Sequence, residues 1–352
     1  MKKIFFGIDF SKEKFDATAI FAENQSAQCA KSVHQTFKNN REGFKKFMAW
    51  VAEIAPEVKP DDILFCGENT GIYSEFISTL LDAEGYTMWL ESALQIKRSM
   101  GIQRVKSDKA DSAVIAEYAM RFQDKAVAYK PLKESLKALH EIFKYRAHLV
   151  REKQALKVRS KEKLSTDMKP SKALKFMHGS SDMIVSRIDK EIKKCDKLMK
   201  EIIEEDEELK ATFDIVTSIK GIALQNAAVL LVVTNNFRRF NYNARKLACY
   251  YGVAPFGKES GTSVHTAPHT SCFADCQIKA LLSEAAKCAV IYCDELKEYY
   301  QRLIARGKKH MVALNNVKNK LLHMIVAMVK SGQKYNPNYK AQLALQYAIS
   351  NN

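Results

Sequence analysis

Ile4-Phe5-Phe6-Gly7-Ile8-Asp9-Phe10 is the stretch on which the fold turns. An apolar, β-favouring run broken only by a late carboxylate reads as a buried strand that carries an acid at its end. Ser11-Lys12 supplies a turn, and Phe15–Phe21 reads as a second strand. Cys29–Phe37 alternates well enough for a third, so the chain opens as an antiparallel meander. Asn39 or Asn40 then caps a helix with Phe44, Phe47, Met48 and Val51 on one face. Asp62–Gly67 reads as a short buried strand, Ile72–Ala83 as a helix and Thr87–Leu90 as another strand. Ser107 or Asp108 caps a further helix with Val114, Ile115, Tyr118 and Ala119 on its apolar face.

Three strands, then helix, strand, helix, strand, helix, is the order of the RNase H/RuvC-like fold, and actin-like ATPases share much of it. The expected class is α/β plus α, in four parts. They are a RuvC-like domain over 1–128, a basic helical hairpin or coiled-coil arm over 129–210, a mainly helical domain over 211–332, and an extension over 333–352. The arm holds 20 Lys/Arg against 9 Asp/Glu between Lys130 and Lys200. Val185, Ile188, Ile192, Cys195, Met199, Ile202, Asp206 and Leu209 follow heptad spacing. Leu136, Leu139, Phe143, Val150 and Leu156 form a weaker stripe, with Lys169-Pro170 and Gly179–Asp182 as punctuation. Residues 211–330 read as helical, broken at Asn235-Asn236 and Tyr251–Thr270.

Composition narrows the function. The 352 residues carry a net charge of +16, with 47% hydrophobic residues, enough for buried cores. No apolar run reaches the ~18 residues of a membrane span. Eight cysteines without a secretory signal suit a reducing, cytoplasmic compartment. A polyanionic partner is expected.

Asp9 and Glu68 end strands, and Asp108 and Asp111 share one face at a helix start. Strand-end carboxylates gather at one edge of an α/β sheet, where ligands bind. Four acids there call for Mg²⁺ or Mn²⁺, which two-metal phosphoryl transfer uses. Taken singly, each acid reads as a strand end or a helix cap.

Gly7-Ile8-Asp9-Phe10-Ser11, Gly67-Glu68-Asn69-Thr70-Gly71 and Lys106-Ser107-Asp108-Lys109-Ala110-Asp111-Ser112-Ala113 resemble the DEDD motifs of insertion-sequence transposases of the IS-one-ten class. The resemblance implies that Asp9, Glu68, Asp108 and Asp111 are the catalytic, metal-holding set. It also implies a C-terminal transposase domain with a nucleophilic serine. Leu247–Pro255 followed by Glu259-Ser260-Gly261-Thr262-Ser263 is similar to that element, with Ser260 at the matching position and Ser263 as the local rival. Val216–Ala223 is similar to the family's helix-hairpin-helix turn. Lys220 and Gly221, with Lys106, Arg238 and Arg239, are the expected nucleic-acid contacts.

The resemblance further implies donor and target DNA, a structured noncoding bridge RNA, and a homo-oligomer, dimer or tetramer. The chain would be a mobile-element recombinase in the bacterial cytoplasm or nucleoid, working through a covalent phosphoserine. After Ser260 the chain departs from the family's basic pattern, and His265, His269, Cys272 and Cys276 there offer a rival zinc reading. His34, His140, His148, His178, His310 and His323 read as surface or core residues, and Cys288 and Cys293 as buried thiols. Three other functions stay open. They are a metal-dependent Holliday-junction-type nuclease without a covalent intermediate, an actin-fold sugar kinase, and a non-enzymatic RNA-binding protein.

Overall fold

Phe-rich alternation makes the first strand, β1 (Ile4–Phe10), and the Ser11 N–H bonds the Lys14 carbonyl at 3.0 Å to turn it into β2 (Lys14–Phe21). The computed structural model describes residues 4–22, 32–56, 58–101, 107–161, 171–260 and 264–339, with side chains at 159–161, 258–260 and 264–266 left aside. β3 (Ser32–Lys38) closes the meander; the expected start at Cys29 lies outside the described residues. Asn40 caps α1 (Arg41–Ile54), accepting from the Gly43 N–H, and α1 buries Phe44, Phe47, Trp50 and Val51. Then come β4 (Ile63–Glu68), α2 (Ile72–Ala83), β5 (Thr87–Glu91), α3 (Ala93–Ser99) and α4 (Asp108–Arg121), capped by Ser107. The sequence does not announce α3, which buries only Ile96.

The sheet order is β3-β2-β1-β4-β5, antiparallel from β1 to β3 and parallel across β1, β4 and β5. That is the RNase H-type topology. The pleat sorts side chains to two faces. Phe6, Ile8, Phe15, Ala17 and Phe65 pack with the Phe47 and Trp50 of α1 and the Ile77 of α2. Phe5, Leu64, Cys66 and Trp89 pack on the other face with Ile115, Tyr118 and Ala119 of α4. Each large apolar side chain so buried contributes about 1.5–3 kcal/mol. Gly7 points to the α4 face, where a Cβ would fall 2.1 Å from the Ser112 carbonyl oxygen and 2.2 Å from the Ala116 nitrogen. The missing side chain lets α4 sit directly on β1.

The chain divides into two compact units, Met1–Pro131 and Leu132–Asn352. In the second, α5 (Glu134–Lys161) and α6 (Lys172–Glu205) pack antiparallel, tied by Arg146 Nε to Asp196 Oδ1 at 2.6 Å and by Lys153 to Asp189. The heptad reading needs correction. α6 stops at Glu205, and Asp206 caps α7 (Glu207–Thr217), so Asp206 and Leu209 do not continue one helix. Ile192, Cys195 and Met199 are buried, followed by Ile203 rather than Ile202. Gly179–Asp182 lies within α6 and punctuates nothing, while Lys169-Pro170 is outside the described residues.

α8 (Leu224–Thr234), α9 (Ala244–Tyr250), β6 (Pro255–Ser260), β7 (Val264–Thr270), α10 (Cys276–Tyr292), α11 (Asp294–Ala305) and α12 (His310–Ser331) follow. The expected break at Tyr251–Thr270 contains the antiparallel β6-β7 ribbon. Leu230, Leu231, Ala285, Ala286, Leu321 and Ile325 belong to the large core of this unit. Cys293 is buried as expected; Cys288 is exposed. Tyr335 is pinned by its N–H to Ser218 Oγ at 2.8 Å. No helix among the described residues is long and apolar enough to cross a membrane.

Candidate active site

Register decides which acids meet. Asp9 pairs with Asp16 across β1-β2, and Glu68 pairs with Glu91 across β4-β5. These four sit at the same end of the sheet. By the pleat they share the α4 face, since Phe5, Cys66 and Trp89, two residues or a multiple of two away, pack there. Thr18, two residues from Asp16, is bonded to Ser112 of α4 at 2.7 Å. Asp108 and Asp111 occupy the first turn of α4, where the helix N-terminus favours negative charge.

The charges act on one another. Burial pushes the Asp9 carboxyl up to about 6, reinforced by Glu68, Asp111, Asp108 and Asp16 in that order. Glu68 is also raised, by burial and then by Asp111. Asp108 goes the other way, held below the usual carboxylate range by its hydrogen bond from Lys14. Lys14 Nζ donates to Asp108 Oδ2 at 2.8 Å and lies 3.3 Å from Asp16 Oδ2. Asp16 is buried and anchored: Thr36 Oγ1 donates to its Oδ1 at 2.5 Å, and His34 Nε2 lies 3.1 Å from the same oxygen. His34, read as a surface or core residue, is part-buried and is a partner of Asp16 at the acid edge.

The resemblance implies a divalent metal here, and the donor set fits one by chemistry. All donors are carboxylate oxygens, the ligand type of Mg²⁺ and Mn²⁺, and burial and mutual repulsion raise both Asp9 and Glu68, a cost that a nearby cation would relieve. The acids as placed do not close around one point. Among the described residues no group of three or more His, Cys, Asp or Glu side chains stands close enough to hold a metal ion. That statement extends to the zinc reading: His269, Cys272 and Cys276 form no such group, and the His265 side chain is not among those described.

Sequence reading missed Asp16, Glu91 and Lys14. Asp16 was findable in principle, because Asp9 and Asp16 flank a tight turn and a hairpin register pairs them. Glu91 and the Lys14–Asp108 contact depend on pairing between distant segments, for which the sequence carries no local signal.

The second unit places the other expected residues. Ser260 ends β6 opposite Val264, and 261–263, with the rival Ser263, lie outside the described residues. Lys106 is also outside them. Lys220 is exposed between α7 and α8. Gly221 has φ 106, and a Cβ there would meet the Ala289 nitrogen of α10 at 2.7 Å, so close packing alone requires glycine. Arg238 donates to Glu208 Oε1 at 2.8 Å, and Arg239 lies over the Phe240 and Tyr250 rings at 5.5 and 5.3 Å.

An acid-lined edge on an RNase H-type sheet, in a chain of net charge +16, is an arrangement suited to phosphoryl transfer on nucleic acid. Two family profiles match: that of the DEDD transposases of IS110 elements over residues 6–167, and that of the transposase IS116/IS110/IS902 family over residues 213–301. The chain belongs to the IS110 class of insertion-sequence transposases and is a DNA transposase/recombinase. The pilin gene-inverting protein of Moraxella bovis is 25% identical over 340 residues, which span 95% of this chain and 98% of that protein. The insertion element IS110 uncharacterized 43.6 kDa protein of Streptomyces coelicolor is 33% identical over 131 residues, 37% of this chain and 32% of its own length. Thermus thermophilus RuvC aligns with 36% of this chain and 99% of its own at 14% identity and a TM-score of 0.27.

Proposed function

We propose that this chain cuts and rejoins DNA through a covalent phosphoserine on Ser260, with Asp9, Glu68, Asp108 and Asp111 holding Mg²⁺ or Mn²⁺. The observation that carries the reading is the register-aligned acid edge facing the first turn of α4. A bound divalent cation there would polarise phosphate oxygens and stabilise the leaving oxygen. The chain's own contribution is to hold the acids. β1 and β4 fix Asp9 and Glu68, and the seat of α4 on Gly7 sets the level of Asp108 and Asp111.

In the covalent step Ser260 Oγ bonds phosphorus as the bond to one deoxyribose oxygen breaks. The serine proton ends on that leaving hydroxyl. Rejoining reverses the step with another hydroxyl, so the phosphodiester count is conserved and no energy-rich cofactor is needed. Reciprocal exchange requires at least two such serines, hence a dimer or tetramer. Inversion of a DNA segment, the activity in the name of the Moraxella relative, is one outcome of such exchange. A bridge RNA would supply sequence choice by base pairing, with the protein reading backbone and shape.

The test uses nicked suicide DNA. A DNA–protein adduct that survives boiling in detergent, lost in Ser260→Ala and kept in Ser263→Ala, is the expected result. Free 3′-hydroxyl and 5′-phosphate ends with no adduct would replace the recombinase by the metal-dependent nuclease. RNA co-purifying with the chain, sequenced and matched to the cut sites, tests the guide. Absence of any specific RNA removes it.

A further inference from the structure

All five non-glycine residues with positive φ among those described fall between 235 and 242: Asn235, Asn236, Phe237, Asn241 and Tyr242. Asparagine tolerates this region, but a bulky aromatic is strained there. Phe237, at φ 65, is 2% exposed, and its burial in the core offsets the strain. Tyr242, at φ 54, is 40% exposed and has no such offset. Strain held without a packing reason marks a position worth a functional account.

Tyr242 stands at the rim of an open groove of about 450 Å³. Arg245, His323 and Lys330 line it, all exposed, with no ion-pair partner among the described residues and no acid on the wall. His323 and Lys330 are seven residues apart on α12, two turns along one face. The contrast with the neighbouring loop is sharp: Arg238 is spent on Glu208, and Arg239 is stacked on Phe240 and Tyr250. Arg245 and Lys330, by contrast, have no ion-pair partner among the described residues and line one groove together.

We propose that this groove binds an unpaired nucleotide, its base stacked on Tyr242 and its flanking phosphates on Arg245 and Lys330, with His323 between them. This rests on the nucleic-acid reading above and adds a place and a strand state to it. An exposed ring beside unpaired cations is the arrangement that single strands use, since every base offers a π-face and every step a phosphate. A duplex keeps its faces stacked and offers the ring nothing. RNA and an opened DNA strand present the same chemistry, so the two are separated by experiment.

Full-length protein is titrated with labelled single-stranded RNA, single-stranded DNA and duplex DNA of one length and sequence. Tyr242→Ala is expected to weaken binding of one or both single strands at least about tenfold, Tyr242→Phe by less than about twofold, with duplex binding unchanged. The single strand that loses affinity identifies the source. Tyr242→Gly separates binding from folding. It relieves the strained φ, so its melting temperature is expected to match or exceed wild type while single-strand affinity falls as in the alanine variant. Arg245→Gln with Lys330→Gln is expected to flatten the salt dependence of single-strand binding by about 1.4 in log–log slope. Wild-type affinity in the alanine and glycine variants overturns the groove and leaves the recombinase reading standing. Equal loss on duplex and single strand overturns the unpaired-nucleotide assignment. A wild-type chain that binds none of the three overturns both readings.

Discussion

At the acid edge, five hydrogen-bonded strands and the first turn of α4 bring six carboxylates to one end of a sheet, whereas Ser260 ends one strand of a ribbon that pairs only with itself. The first arrangement is over-determined. Register fixes Asp9 against Asp16 and Glu68 against Glu91, the pleat fixes their face, and Gly7 fixes the distance to the helix. The ribbon has one partner strand and a register shift between Phe256 and Lys258. Its glycine, Gly257, has nothing within 4 Å of a would-be Cβ. On the proposed mechanism the charges must be pre-arranged to stabilise a transition state, and the rigid frame supplies that.

The largest expected effect breaks the comparison on the acid side. Asp9→Asn keeps the strand and the size of the side chain but removes a charge, so strand cleavage should fall ~10³-fold or more. Nucleic-acid affinity and melting temperature should stay near wild type. Cleavage within tenfold of wild type, in a nicking assay with Mg²⁺, would detach the edge from catalysis.

Next comes the frame itself. Gly7→Ala drives a methyl into the α4 backbone and should destabilise the N-terminal unit by about 2–4 kcal/mol, while Gly257→Ala should change stability by less than about 0.5 kcal/mol. Denaturant unfolding of the two variants measures the difference directly. Equal effects would mean that the ribbon is as tightly specified as the sheet.

A third, smaller effect shows where the second unit keeps its own rigidity. Burial alone would raise the Asp206 carboxyl, but the Lys133 ion pair at 2.7 Å, the Ser135 bond at 2.6 Å and the Leu209 N–H outweigh it and hold it at about 2. A folded value below the ordinary 3.8 means stability is fully present above about pH 4 and lost as pH falls toward 2. The amount is on the order of 1–2 kcal/mol after allowance for solvent screening. Lys133→Met should shrink that acid-side loss, seen in unfolding curves at pH 6 and pH 3.

The smallest effect sharpens the picture of the edge. Lys14 is the cation nearest the acids, and Lys14→Met removes a competitor for Asp108. Mn²⁺ affinity, measured by calorimetry, should rise by about threefold to tenfold. A fall would make Lys14 a helper of the cation rather than its rival.

How much of this was readable beforehand follows the same division. Strand ends can be read from a run of apolar residues, so Asp9 and Glu68 were legible, and Ser107-Asp108 announced its helix by its capping residue. Partners across strands were not, because register is a property of two segments. The heptad seam overran its helix because Asp206, polar and correctly spaced, fitted the period while serving as a cap. Arg238 and Arg239 read as nucleic-acid contacts beside aromatics, and the partners Glu208, 30 residues from Arg238, and the Tyr250 ring lie outside any local window. The strained Tyr242 turn left no mark in the sequence beyond its asparagines.

Gly7 has a genetic consequence as well as a mechanical one. Every amino acid other than glycine carries a β-carbon, so every missense change in that codon puts an atom where the α4 backbone already lies. No replacement there is conservative, and none can be tuned by choosing a smaller side chain. In a mobile element whose copies drift without selection, a first- or second-letter change in this codon therefore weakens the seat of α4 whichever residue results, while a third-letter change is silent. Among decaying copies, loss of this glycine would mark those in which the helix that bears Asp108 and Asp111 has lost its seat on β1.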